Sequence, residues 1–167
     1  MHKNIFLIGF MGVGKSTIAY RLKEKLNMDY AEMDQMIVEE QGMPISDIFA
    51  KHGEEYFRDI ESNTLISLQE KENMVVSCGG GVVLRPENAM HMRKSGTVIW
   101  LTATPETVYE RVKDSTHRPV LNGNMNVEYI KGLMEQRQAR YEAAADIEIA
   151  TDGKNITEIC DEIISKL

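Results

Sequence analysis

A complete phosphate-binding motif, G-x-x-x-x-G-K-[ST], lies at residues 9–16 with the letters GFMGVGKS. A short apolar run at 4–8 precedes it, and a pattern with helical spacing follows at 17–26. In this context the loop's N–H groups and the helix N-terminus bind phosphate, Lys15 reaches the β- and γ-phosphates, and the Ser16 hydroxyl ligates Mg²⁺. The motif predicts a nucleoside triphosphate site. The alternative is a glycine-rich turn that binds nothing.

An acidic pair, Glu32 and Asp34, ends the second predicted strand. Residues two apart on a strand point to the same side, so both carboxylates are predicted to face one crevice. One would support Mg²⁺ and the other would receive a proton from an acceptor. The alternative is a solvated acidic strand end, and the triplet by itself favours that alternative.

A triple glycine at 79–81 and two arginines form the next group of candidates. The glycines follow a buried strand, and they either expose main-chain N–H groups to a ligand or form a tight turn. Arg58 lies within a helical pattern with Glu61 three residues on, which predicts an ion pair that holds the arginine. Arg137 lies one helical turn after Leu133. A guanidinium group grips a carboxylate in a bidentate manner, which suits both arginines to an acidic substrate.

The segment 113–124 is polar and rich in turn residues, which is typical of a lid or of a floppy surface loop. Arg118 on a closing lid would stabilise charge on the transferred phosphoryl group. The four histidines show no metal-ligand spacing, and we interpret them as surface or structural residues. Cys78 is interpreted as a small buried residue rather than a nucleophile.

Predicted strands and helices alternate along the chain. Pro86 and Pro105 suit the first turns of helices, and Asn155 with Glu158 resembles a capping box. Continuous apolar strands that alternate with helices predict a parallel sheet covered on both faces, with ligands beyond the carboxyl ends of the strands. The strands are predicted at 4–8, 28–33, 74–78, 97–101 and 146–150, and further helices at 54–69, 127–141 and 156–167.

Composition limits the classes of protein. The chain of 167 residues fits a single domain, and 43% hydrophobic with 27% charged residues is ordinary for a globular protein. No apolar run is long enough to cross a bilayer, and the strand at residue 4 leaves no room for a signal peptide, so we expect no membrane partner. Two cysteines indicate a reducing compartment, which predicts a cytoplasmic location. A net charge of −7 argues against nucleic acid as a partner, and an anionic substrate would require a local arginine cluster.

Together these pieces resemble the shikimate kinase family over essentially the whole chain. The motif I-x-D-I-F…G-E-x-x-F-R with G-G-G after a strand is much more specific than the phosphate loop. The matching segments are GFMGVGKST at 9–17, Glu32 with Asp34, ISDIF at 45–49, Gly53-Glu54, Phe57-Arg58, Gly79-Gly80-Gly81, Arg118-Pro119, and Arg137 upstream of Tyr141.

The resemblance implies a three-layer α/β/α domain spanning 1–167, with a five-stranded parallel sheet of the nucleoside-monophosphate-kinase type. A phosphate loop at 9–17, a substrate region near 32–61 and a lid near 112–124 belong to that fold. The implied activity is MgATP-dependent phosphorylation of the 3-hydroxyl of shikimate, a step toward aromatic amino acids, by a monomer whose partners are the small molecules ATP and shikimate.

The resemblance also implies the role of each site residue. Asp34, Lys15 and Arg118 would be catalytic, with Asp34 as the base. The carboxylate and hydroxyls of shikimate would be held by Asp34, Arg58, Arg137 and the Gly80 N–H, within walls formed by Ile45, Phe49, Phe57 and Pro119. ATP would contact Gly12, Val13, Gly14, Lys15, Ser16, Thr17, Arg111 and Arg118. Of these, Arg111 would lie along the adenine. Mg²⁺ would be held by Ser16 and, through water, by Glu32, where the family usually has aspartate.

Two rival functions stay open from the sequence. Arg58 and Arg137 fit any hydroxy acid, so a gluconate-kinase-like enzyme is the nearest alternative. A non-catalytic nucleotide-binding paralogue is the other, although such a protein would be expected to lose its base or its lid arginine, and this chain has Asp34 and Arg118. No N-K-x-D guanine signature is present, which argues against a GTPase switch.

Overall fold

The structure is a computed structural model, and it describes residues 3–113 and 126–167. Five parallel strands form one sheet in the order β2-β3-β1-β4-β5. The strands are β1 (Asn4–Ile8), β2 (Asp29–Glu32), β3 (Met74–Ser77), β4 (Gly96–Thr102) and β5 (Ile147–Ala150). The three-layer α/β fold predicted from the sequence is confirmed, and strand ends differ from the prediction by one or two residues.

Helices follow the strands on both faces of the sheet. They are α1 (Lys15–Leu26), α2 (Met33–Gln41), α3 (Ile45–Gln69), α4 (Pro86–Ser95), α5 (Pro105–Val112), α6 (Val127–Ala144) and α7 (Ile156–Lys166), with a short 3-10 helix at Val82–Leu84. Pro86 and Pro105 do begin their helices, and Asn155 forms the predicted capping box with Glu158. Among the described residues, no helix is long and apolar enough to cross a membrane.

The central strand β1 is buried at every position, and its alternate side chains enter two different cores. Ile5 and Leu7 pack in the core formed with α1 and α7, whereas Phe6 and Ile8 pack in the core that includes Leu65 of α3. Burying one such side chain contributes about 1.5–3 kcal/mol. The two cores hold the sheet between two helical layers, so the carboxyl ends of its strands are fixed relative to one another.

Helix α3 is interrupted at Gly53, whose φ of 86° and ψ of 172° lie outside the helical region. A positive φ of this size favours glycine, and the interruption separates residues 45–52 from 54–69. The change of direction places Phe49 against Phe57, with ring centroids 5.0 Å apart. The sequence-based prediction of a helix beginning at Glu54 therefore describes the second half of α3.

The acidic pair is not arranged as the sequence predicted. Strand β2 ends at Glu32, and Met33 begins α2, so Asp34 lies in the first turn of a helix rather than on the strand. Met33 is fully buried, and it is the first residue of α2 after Glu32, whose backbone is still extended. The argument from strand alternation is therefore wrong, and the position of Asp34 depends on the helix start.

Candidate active site

The phosphate loop joins β1 to α1, and the side chain of Lys15 at the start of α1 folds back over the loop. The Lys15 Nζ donates to the Gly9 carbonyl oxygen at 2.7 Å and to the Phe10 carbonyl oxygen at 3.0 Å. Gly14, the residue before α1, has a φ of 95°, a conformation that leaves the helix N-terminus open to an anion. A phosphate group bound here would compete with the two carbonyl groups for the ammonium group. The loop thus has the geometry of a nucleotide phosphate site.

The three glycines after β3 each face a different candidate side chain. A Cβ atom at Gly79 would lie 3.0 Å from Asp34 Oδ1, and one at Gly80 would lie 3.7 Å from Arg137 Nη1. At Gly81 the same atom would lie 2.5 Å from Arg58 Cζ. The structure therefore brings Asp34, Arg58 and Arg137 together on one glycine turn, although they come from three different helices.

Arg58 is 6% exposed and is held by two carboxylates of its own helix. Its Nη1 donates to Glu61 Oε1 at 3.0 Å, and its Nε donates to Glu54 Oε2 at 3.4 Å. The predicted pair between Arg58 and Glu61 is confirmed. Because Glu61 is buried, it fixes the guanidinium group against the glycine turn before any ligand arrives.

Arg137 is also 6% exposed, and its surroundings are aromatic. Its Cζ lies 5.6 Å from the centre of the Phe10 ring, and its positive charge lies close enough to Tyr141 to lower the pKa of that hydroxyl group. That hydroxyl donates to the Gly80 carbonyl oxygen, and burial raises the pKa of Tyr141 to about 12. Tyr141 thus keeps its proton and ties α6 to the glycine turn. The sequence contained Tyr141 only as part of a motif, without this role.

Glu61 is a buried acid of the site whose pKa is shifted. Burial raises the pKa of its carboxyl group above the usual glutamate value, against the opposing effect of the Arg58 guanidinium group. The Asp34 carboxylate also raises this pKa, and Arg137 lowers it. Glu61 Oε2 is buried without a hydrogen-bond partner among the described residues. A proton on Oε2 would remove a buried negative charge next to Asp34.

The residues predicted to hold Mg²⁺ lie near the paired ends of β2 and β3. Glu32 is opposite Ser77 in the sheet, and the Ser77 and Ser16 hydroxyl oxygens are 3.2 Å apart. Glu32 Oε2 accepts from the Tyr30 hydroxyl at 3.4 Å. Hydroxyl and carboxylate oxygens are suitable ligands for Mg²⁺, directly or through water. The residues present therefore fit the ion, and Ser77 is a member of this group that the sequence analysis did not name.

The structure describes some of the remaining predicted site residues and leaves others outside its described ranges. Ile45 and Phe49 pack with Phe57 in a small apolar cluster beside Arg58, whose Cζ is 5.2 Å from the Phe57 ring centre. Arg111 is exposed and donates to the Gly12 carbonyl oxygen at 3.1 Å, so it lies against the phosphate loop. Arg118, Pro119 and most of the predicted lid lie outside the described residues.

The fold and the phosphate loop together define a P-loop kinase. The family model for shikimate kinase matches residues 11–167. A curated shikimate kinase from Persephonella marina is 45% identical over 99% of this chain and 99% of its own length. The chain therefore belongs to the shikimate kinase family, whose members are ATP-dependent kinases.

Solved structures agree with this assignment. The shikimate kinase from Acinetobacter baumannii in complex with shikimate has a TM-score of 0.96 at 28% identity, covering 99% of this chain and 93% of that one. A gluconokinase from Sinorhizobium meliloti has a TM-score of 0.56 at 18% identity, over 98% of this chain and 90% of that one. The second likeness shows the fold alone.

Proposed function

We propose that this protein transfers the γ-phosphoryl group of MgATP to the 3-hydroxyl of shikimate, giving shikimate 3-phosphate and ADP on the route to aromatic amino acids. The observation that carries the proposal is the convergence of Asp34, Arg58 and Arg137 on the glycine turn at 79–81. A carboxylate base and two guanidinium groups suit an acceptor with both a hydroxyl and a carboxylate group. The Acinetobacter baumannii relative, which contains shikimate, supports the choice of acceptor.

In the proposed complex the acceptor carboxylate lies between Arg58 and Arg137 and next to the Gly80 N–H group. Two nearly buried guanidinium groups give an anion local hydrogen-bond donors in a protein whose net charge of −7 by itself repels it. Arg58 is already aligned by Glu61, so little side-chain entropy is lost when the acid binds. Phe49 and Phe57 limit the acceptor to a compact ring and exclude water from the transfer.

Asp34 accepts a hydrogen bond from the 3-hydroxyl and aligns it with the γ-phosphate. Phosphoryl transfer through a loose transition state depends mostly on alignment and charge neutralisation, so the proton reaches Asp34 late. Lys15 leaves the carbonyl groups of Gly9 and Phe10 for the β- and γ-phosphates. Arg118 would add charge from the lid, and this role stays a prediction.

Mg²⁺ is the proposed cofactor, held by Ser16 and through water by Glu32, with Ser77 close to both. The ion would neutralise charge on the phosphates. A monomeric state and a cytoplasmic location stay predictions from the sequence, and light scattering on the purified protein tests the first of them.

A coupled assay of ADP release tests the proposal, with shikimate and gluconate compared at equal concentrations. We expect turnover with shikimate and little with gluconate. Turnover with gluconate alone would favour the second kinase candidate. Absence of turnover with either acid, in a preparation that still binds ATP, would favour a non-catalytic nucleotide-binding protein.

A further inference from the structure

A second cavity lies behind the phosphate loop, between that loop, β4 and α6. Its volume is about 220 Å³, and Phe10, Trp100, Met134 and Tyr141 are among its walls. Neither Asp34, Arg58 nor the three glycines line it. The cavity is therefore distinct from the acceptor site, and the reaction proposed above gives it no function.

Three of the walls are aromatic. The rings of Trp100 and Tyr141 are stacked, with centroids 5.6 Å apart and an interplanar angle of 18°, and Phe10 lies on the side of the phosphate loop. Aromatic rings prefer offset or edge contacts with other rings. A volume of this size admits one flat six-membered ring with a short substituent.

Among the described residues that line the cavity, Glu148 is the one with a charged side chain. Glu148 of β5 lines it, and none of the described residues that line it is basic. Glu148 is exposed and takes part in none of the ion pairs found within 3–113 and 126–167. A cation on the substituent of a bound ring would find a carboxylate there, whereas an anion would be repelled.

We propose that this cavity binds a small aromatic amine, one ring with an ammonium group on a short chain, and that its occupancy changes the affinity for the acceptor acid. The ring lies among Phe10, Trp100 and Tyr141, and the ammonium group lies at Glu148. The chemistry excludes the acceptor itself, which is an acid and has no ammonium group.

The coupling follows from two walls that also hold the active site. The Phe10 ring lies 5.6 Å from Arg137 Cζ, and the Phe10 carbonyl group accepts from Lys15 at 3.0 Å. The Tyr141 hydroxyl group donates to the Gly80 carbonyl oxygen, and it lies within the electrostatic influence of Arg137. A ligand that moves either ring changes how Arg137 meets the acceptor carboxylate, and linkage requires the acceptor to change the amine's affinity by the same factor.

Ligand binding to the cavity can be measured by tryptophan fluorescence, independently of the kinase reaction. Trp100 is the chain's single tryptophan and lines the cavity. The probe is 2-phenylethylamine, followed by tryptophan emission at neutral pH. We expect a saturable change with a dissociation constant on the order of 1 mM or lower, the range for a ligand with about nine non-hydrogen atoms. The matched ligand is 3-phenylpropanoate, which has the same ring and a carboxylate, and we expect no saturable change with it.

Reversing the charge at Glu148 tests whether the ligand binds in this cavity. Glu148→Lys should abolish the response to the amine and create one to 3-phenylpropanoate, whereas Glu135→Lys, an exposed position of α6 outside the cavity, should change neither. No saturable response to the amine in the wild-type protein, or a response that survives Glu148→Lys, overturns the site.

The kinetic arm rests on the proposed function. A saturating amount of 2-phenylethylamine should change the KM for shikimate at least about threefold, and saturating shikimate should change the amine's dissociation constant by a similar factor. Proven binding with an unchanged KM overturns the coupling. Failure of shikimate turnover leaves the emission titration valid, so the two proposals fail independently.

Discussion

The Arg58 guanidinium group lies flat against the backbone of Gly81, so close that a Cβ atom at that position would be 2.5 Å from Arg58 Cζ. Gly81 has a φ of −103°, which any residue adopts, so space rather than backbone conformation requires glycine here. Glu61 and Glu54 hold Arg58 in this position from its own helix, so moving the guanidinium group away from residue 81 would disturb both ion pairs.

Gly81→Ala should therefore displace Arg58 from the acceptor site. We expect the KM for shikimate to rise about tenfold or more, since a charge-assisted hydrogen bond contributes about 1.5–3 kcal/mol, with a smaller effect on the KM for ATP. Gly132→Ala is the matched control, because a Cβ atom at this helical position meets nothing within 4 Å. Equal KM values for Gly81→Ala and the wild type would show that acceptor binding does not depend on the place that Gly81 gives to Arg58.

Glu61 should make the free energy of unfolding decrease as the pH rises. Because burial raises its pKa in the folded protein, the native state keeps a proton to a higher pH than the unfolded chain, whose glutamates titrate near about 4.3. Stability contributed by the protonated form is thus complete below that value and is lost as pH rises through the folded pKa.

The measurement is denaturant unfolding of the wild type and Glu61→Gln between about pH 5 and pH 8. We expect the wild type to lose stability relative to Glu61→Gln as the pH rises, since the variant has no proton to lose. Glu55→Gln, at an exposed position of α3, is the control and should run parallel to the wild type. A Glu61→Gln curve parallel to the wild type would mean that Glu61 does not change its protonation state in this pH range, which would contradict a titration of the folded protein there.

Local signals were enough to predict most of the fold. The phosphate loop, β1 and the capping box of α7 depend on residues a few positions apart, and the structure has all three. Asp34 was harder, because α2 follows β2 directly and begins without a side-chain cap, so the sequence carries no signal for the helix start.

The convergence of Arg58 and Arg137 could not be derived from spacing. They lie on different helices, and only the packing of α3 and α6 around the 79–81 turn brings them together. Their pairing was predicted through the family resemblance. Ser77 gave no signal at all, since a serine at the end of a strand has many ordinary explanations. Its proximity to Ser16 depends on how α1 packs against the strand.

Asp34→Asn tests the proposed base. The amide keeps the size of the side chain but accepts no proton, so we expect kcat to fall at least about a hundredfold while ATP binds as before. Asp29→Asn, an exposed position at the other end of β2, is the control. Nearly unchanged turnover in the Asp34 variant would remove Asp34 from the base role and leave it as an acidic residue of the crevice.

Arg137→Lys tests the second guanidinium group. Lysine keeps the charge but loses the planar fork, and it no longer spans Phe10 and the Tyr141 hydroxyl in the same way. The KM for shikimate should rise about tenfold with a smaller change in kcat. Arg140→Lys, exposed on the same helix, should behave as the wild type. A change in the KM for ATP alone would place Arg137 on the other substrate.

Substitutions at Glu32 test the residues predicted to hold Mg²⁺. Outer carboxylates that orient a metal's ligands typically change metal affinity about 10–100-fold when removed, so Glu32→Gln should raise the Mg²⁺ concentration for half-maximal activity by at least about tenfold. Glu32→Asp keeps the charge, and its Mg²⁺ requirement should stay within about threefold of the wild type, because a water molecule can fill the space of the lost methylene group.

The measurement is ADP release against Mg²⁺ concentration at constant ATP, with Asp29→Asn as the control for charge on the same strand. A Glu32→Gln curve that matches the wild type would leave Ser16 and the phosphates as the ligands of the ion, and Glu32 as a partner of Tyr30 only.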